Sequence, residues 1–245
     1  NNNNNNQGDQ IYTTSLAITE ASDTPVTGKS YVMPQLAFGG GWYTAMYFSN
    51  TTDTAARIRV RFRGADGRDL SVPLIGVGPV SDHTVTIAPR ATALLEAPNS
   101  GSLQQGWTEA TLPDGVTGYG VFRQTVSGRA DQEAVIPLSE DSRPAAYMTW
   151  DDTGLTTAMA VVNPKENATT VTIAVYGNDG AQIGTVTLNL AARNRVAFNL
   201  RDQPGMAGVT GKRGMARLSV PSGSVAALGL RFAGEAITSI PVSYP

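Results

Sequence analysis

The side chains with chemical reach in this 245-residue chain are few and scattered. Its only histidine is His83, in the run SDHT, and it has no cysteine. Ser-His-Asp triads, histidine metal sites, thiolate nucleophiles and disulfides therefore have nothing to be built from. No GxSxG elbow, P-loop or GxGxxG run occurs, and the GVG at 76–78 lacks the rest of any phosphate-cradling pattern. Asp151 and Asp152 are adjacent and, with Asp179 or Glu166, come nearest to a calcium set, although paired loop carboxylates are ordinarily solvated turn residues. Asp66, Asp69, Glu109 and Glu133 fall at strand ends or on alternating faces, and no spacing sets two of them across a cleft. The expectation is a chain that is not an enzyme and carries no cofactor or metal.

What remains is surface chemistry. In the run RIRVRFR, Arg57, Arg59, Arg61 and Arg63 share one face of a strand, with Ile58, Val60 and Phe62 on the other. Four like charges at period two repel one another, so they persist as a solvated face or opposite acidic groups, here taken as a candidate charged interface with a neighbouring subunit. Asn50 and Asn167 each begin an Asn-x-Thr triplet in an inter-strand loop, making both candidate glycosylation sites. Of the three tryptophans, Trp42 and Trp107 read as core residues. Trp150, beside Asp151, is the one expected at the surface, where it could stack on a sugar.

These residues are carried by an internal repeat. Residues 41–67, GWYTAMYFSNTTDTAARIRVRFRGADG, return at 154–180 as GLTTAMAVVNPKENATTVTIAVYGNDG, at an offset of 113 and without a gap. Nine of the 27 pairs are identical, including Thr44/Thr157, Met46/Met159, Asn50/Asn163 and Gly67/Gly180. Such self-similarity settles the organisation before any single element is assigned. The likeness continues downstream: IAPR at 87–90 answers LAAR at 190–193, GWTEATLPDG at 106–115 answers GMARLSVPSG at 214–223, and IPLS at 136–139 answers IPVS at 240–243.

The alternation predicts short strands over 43–49, 56–63, 70–74, 84–87, 92–96, 107–112, 118–124 and 134–138, separated by turn clusters such as Asp66-Gly67 and Asp114-Gly115. No helical periodicity of any length interrupts them. The expected fold is all-β: two tandem immunoglobulin-like β-sandwich domains, residues 31–140 and 146–245, joined by the linker 141–145. So short a link, DSRPA, predicts a rod with a limited range of angles.

Residues 1–30 belong to neither repeat. Within them 11–20, IYTTSLAITE, alternates as a strand with Tyr12, Thr14, Leu16 and Ile18 on one face, followed by the turn-rich ASDTPVTGKS. The chain begins at Asn, with six asparagines in a row, which read either as a polar tract or as placeholders for unassigned residues. A processed front end would have had a secretory signal upstream. A formal net charge of −2 argues against a nucleic-acid partner. No apolar run approaches the roughly 20 residues of a membrane helix, so membrane insertion is not expected.

In its tandem cysteine-free repeats and its leading alternating strand, the chain resembles the subunits of donor-strand-assembled bacterial pili. That resemblance implies an extracellular structural subunit at the bacterial surface. Copies of the chain would be its partners, joined when Tyr12, Thr14, Leu16 and Ile18 of one enter a groove of the next by strand addition. A sandwich lacking one of its own strands would offer the groove. The alternatives are a secreted or surface adhesin or carbohydrate-binding module with glycans as partners, and a passive spacer domain of a larger surface protein.

Overall fold

The computed structural model describes residues 25–245, and the candidate donor strand with Tyr12, Thr14, Leu16 and Ile18 lies outside them. The described chain is all-β. Its first half holds β1 (Lys29–Phe38), β2 (Trp42–Asn50), β3 (Ala56–Gly64), β4 (Val72–Leu74), β5 (Gly78–Val80) and β6 (Asp82–Ile87). It continues with β7 (Thr92–Ala97), β8 (Gln104–Leu112), β9 (Val116–Gln124), β10 (Gln132–Pro137) and β11 (Ser139–Glu140). The second half holds β12 (Ala145–Asp151), β13 (Thr156–Val162), β14 (Thr169–Gly177), β15 (Gln182–Leu190) and β16 (Arg195–Asn199). After two short 3₁₀ turns, Leu200–Asp202 and Ala207–Val209, come β17 (Arg213–Ser219), β18 (Ala226–Ala233), β19 (Ala236–Ile240) and β20 (Val242–Ser243).

The two halves repeat one strand order. In the first, a five-stranded sheet runs β11-β1-β8-β3-β6 and a four-stranded sheet β10-β9-β2-β7. In the second the orders are β20-β12-β17-β14-β15 and β19-β18-β13-β16, which are the same strands under the repeat. Alternation explains each core: Ile58, Val60 and Phe62 of β3 face inward with Met46 and Phe48 of β2, and Val171, Ile173 and Val175 of β14 do so with Met159 and Val161 of β13. β1 crosses β2, β9 and β10, and β12 crosses β13, β18 and β19, so in each half the sheets enclose the core between them.

β1 is absent from the alternation pattern for a physical reason. Pro34 sits inside it, and the pairing with β8 slips between Met33 and Leu36, the bulge at which a strand accommodates a residue without an N–H.

The halves differ in what fills the side between the edges β6 and β7, or β15 and β16. In the first half the inserted hairpin β4–β5 places Val72 and Leu74 in the core, and Ile75 N–H donates to Glu96 O at 2.9 Å. In the second half the 3₁₀ turns after β16 supply Leu200, Met206 and Val209 instead. Apart from that inserted hairpin, among the described residues neither half lacks a strand that the other has. Among the described residues both clefts are filled from within.

Candidate assembly surfaces

The arginine row lies on the outer face of β3 and finds its carboxylates within its own half. Arg59 Nε donates to Asp82 Oδ1 at 2.8 Å, and Arg61 lies 3.5 Å from both Asp82 and Glu109. Arg63, buried at 7 % exposure, is held by Asp69. The Arg59 guanidinium holds the Asp82 carboxyl below the usual carboxylate range, and Asp82 in turn raises Arg59. Arg57 continues the row from the start of β3, opposite Thr86 of the edge strand. In the second half the matching positions are Thr170, Thr172, Ala174 and Tyr176.

The edge strands inherit this difference. β6 is six residues long, DHTVTI, and carries Asp82 at its start. β15 is nine residues long, QIGTVTLNL, with no charge and no proline, and it ends its sheet. Natural sheets protect edges with charge, proline, brevity or bulges, and β15 has none of the first three, its register shift opposite Val175 and Tyr176 being confined to the first residues of its pairing.

Two glycosylation candidates separate cleanly. Asn50 is buried at 2 % exposure, and its Nδ2 donates to the carbonyls of Thr54, Ile87 and Ala88 at 2.8, 3.2 and 3.1 Å. The expected exposure is therefore corrected for Asn50, whose amide is committed to closing the loop. Asn163 repeats the arrangement, donating to Asn167 O and Ala191 O at 2.8 and 2.9 Å. Asn167 itself is exposed. Trp150 also departs from expectation: it is 1 % exposed, and its indole N–H donates to Tyr176 O at 3.1 Å, so it offers no sugar platform. Trp107 is fully buried and Trp42 half-buried, 5.5 Å from Phe122.

The acidic residues considered for calcium are spread among other tasks. Asp152 Oδ1 lies 2.6 Å from Arg201, Asp179 accepts from Ala181 N–H at 3.0 Å in its turn, and Glu166 pairs with Arg193. Asp151 accepts from Thr153 N–H at 2.8 Å and from the Thr153 hydroxyl, bonds that hold its carboxyl below the usual range.

The interface between the halves is a surface that strand alternation alone does not reveal. The outer face of the β19-β18-β13-β16 sheet is buried against the first half. Ala160, Leu228, Leu230 and Ile237 join the first core, and Val162 and Ala226 form a small cluster with Val32 and Trp107. Trp107 Nε1 donates to Arg193 O at 2.9 Å, and Arg195 N–H donates to Ala65 O at 2.9 Å. The Arg195 side chain donates to Pro34 O at 2.9 Å and to Gln35, and burial pushes its guanidinium down to about 10. Gly67, at φ +81°, lies so close to this loop that a Cβ would stand 2.7 Å from Ala192 O, whereas Gly180 has open space. β10 and β19 run side by side, with Tyr244 donating to Ser139 Oγ at 3.0 Å and Arg129 to Glu235 O at 3.1 Å. A signal for this burial is present in the sequence: TAMAVV in β13 and AALGL in β18 are continuous apolar runs, as in strands covered on both faces.

No protein-family model matches the chain, and no curated protein does. Among solved structures it matches weakly a putative beta-galactosidase from Bacteroides fragilis, 12% identical over 86% of this chain and 32% of that one, with a TM-score of 0.17. It also matches a glycosyl hydrolase family 2 member from Bacteroides cellulosilyticus, 7% identical over 89% of this chain and 29% of that one, with a TM-score of 0.19. The chain spans about a third of the length of these proteins.

Proposed function

We propose that the chain is a structural subunit of an extracellular bacterial filament, polymerising by addition of its N-terminal strand, residues 11–20, to a neighbouring copy. On this reading the two halves are tandem immunoglobulin-like β-sandwich domains, residues 31–140 and 146–245 with the linker 141–145, and the chain is not an enzyme. Support for the domain assignment comes from the identical strand orders of the two halves.

The observation that carries the assembly reading is the long, uncharged edge that β15 leaves unpaired among the described residues. An incoming strand gains ladder hydrogen bonds there without displacing any strand of the recipient, each worth about 0.5–1.5 kcal/mol. Tyr12, Leu16 and Ile18 would lie on one face of the added strand. The recipient site is an open edge rather than a cleft, since both clefts are filled from within. Glycan binding is the weaker reading, because Trp150 is buried.

The test is negative-stain microscopy and sedimentation of the chain with and without residues 1–29. Filaments from the full chain and none from the shortened one are expected. Filaments that survive the deletion rule out strand addition, and a monomer in both forms rules out the filament.

A further inference from the structure

The two halves meet by unlike faces, and each of those faces is left bare once. Within the chain, Val162 and Ala226 on the outer face of the second four-stranded sheet meet Val32 and Trp107 on the outer face of the first five-stranded sheet, Ala160, Leu228, Leu230 and Ile237 join the first core, and β19 runs beside β10. Among the described residues the outer face of the second five-stranded sheet has no counterpart covering it, and that of the first four-stranded sheet is met by the second half only along β10, where Ser239 donates to Val135 O.

The first of these bare faces is apolar and aromatic. Tyr47 stacks on Tyr119 with ring centroids 5.1 Å apart, Arg123 lies 4.6 Å over the Tyr43 ring, and Val121 is flanked by Val135. Tyr119, Leu94 and Val135 are 44, 45 and 47 % exposed. The repeat aligns Tyr47, Tyr119, Val121 and Arg123 with Ala160, Leu228, Leu230 and Phe232, residues that face the first half. The second bare face places Tyr147 where the first half has Val32, and Met215 where it has Trp107. Arg217 pairs across from Tyr147, and Met215 is 38 % exposed.

We propose that the bare face of the first half docks onto the bare face of the second half of another chain, repeating between chains the part of the contact that Val162 and Ala226 make with Val32 and Trp107 within one. This rests on the reading of the chain as a subunit that assembles with copies of itself. A contact between unlike faces does not use itself up, so each added chain presents the next docking face and a line of subunits grows. The substitutions go the way such a role demands: aliphatic residues serve the permanently buried contact, whereas tyrosine and arginine tolerate water before docking and are favoured at interfaces. A patch holding several exposed large apolar side chains is itself a mark of an interaction surface.

The chain has no cysteine, so cross-linking reports on introduced thiols alone. The cluster Val32, Trp107, Val162 and Ala226 aligns with Tyr147, Met215, Ser49 and Thr117. Full-length S49C and M215C chains, mixed and treated with a short bismaleimide, are expected to give mixed dimers, and neither variant alone is. Y119E is expected to weaken self-association in sedimentation at least about 30-fold, the scale of an interface hot spot, with an unchanged circular dichroism spectrum. Cross-linking of S49C to itself, or Y119E chains associating like the parent, overturns the proposal. So does a face that becomes sticky only when residues 1–24 are removed, because the chain's own tail would then be its occupant. The two assembly ideas fail separately. Filaments lost on deleting 1–29 with the mixed cross-link retained support both. The cross-link absent with filaments intact overturns face docking alone.

Discussion

The edge strands β6 and β15 occupy the same place in the repeat and have been treated oppositely. β6 is short and begins with an ion-paired cluster of Asp82 with Arg59 and Arg61, while β15 is half as long again and bears only threonine, asparagine, glutamine and glycine among its polar positions. The inward residues hardly differ in kind, since Val85 and Ile87 answer Leu188 and Leu190. Folding therefore does not require the charge cluster. It changes what the edge will accept: desolvating Asp82 and its arginines opposes an incoming strand, and nothing comparable guards β15.

The largest test of the comparison removes the plugs behind the two edges. Leu74→Ala in the first half and Met206→Ala in the second each empty a fully packed position and should cost about 2–5 kcal/mol. If the halves are separate domains, chemical denaturation will show each variant shifting a different transition. A single transition shifted equally by both would mean that the buried interface couples the halves into one unit.

A smaller effect is expected from Gly184→Ala. Its Cβ would stand 2.5 Å from Met206 Cε and 3.1 Å from Gly205 O, so the methionine must move, at roughly 1–3 kcal/mol in a melting experiment. Combined with Met206→Ala the penalty should largely vanish, because the space is then free.

The pH dependence separates the edges next. Asp82 is depressed in the folded protein by Arg59, so its contribution is present above the ordinary aspartate pKa and is lost as pH falls through the lower folded value. Acidification in that window should destabilise the first half, and Asp82→Asn should remove that part of the slope. An unchanged slope in Asp82→Asn would show the cluster to be energetically idle.

The smallest stability change should come from Thr187→Lys on β15, within about 0.5 kcal/mol of the parent. It nevertheless places a charge on the open edge, and sedimentation should show filament formation lost. A Thr187→Lys chain that polymerises normally would move the acceptor site elsewhere.

Much of the architecture is legible in the residues alone. The offset of 113 between 41–67 and 154–180 carries the strands from β2 to β3 and from β13 to β14, and Asp66-Gly67 and Asp179-Gly180 turns follow them. β1 is not legible, because Pro34 and the bulge interrupt its alternation. Trp150 is misplaced by its neighbours Asp151 and Asp152, which suggest a wet turn, yet alternation along β12 points it inward with Met148. The bare faces emerge only from the pairing that sets Tyr47 beside Tyr119 and from the covering of the apolar runs of β13 and β18.

The twin asparagines at the ends of these loops bear on how such a chain would age. Asparagine deamidates when the following backbone nitrogen attacks its side-chain amide carbon and expels ammonia, and water then opens the cyclic imide to leave a carboxylate. Asn163 is followed by Pro164, which has no N–H to lose, and the N–H of Thr51 after Asn50 is tied to Gly115 O at 2.8 Å. Were either amide hydrolysed, a negative oxygen would face the carbonyls that the amide now donates to, and the loop would be driven open. Both positions are thus shielded from the slow chemistry that shortens the working life of proteins exposed for long periods without replacement.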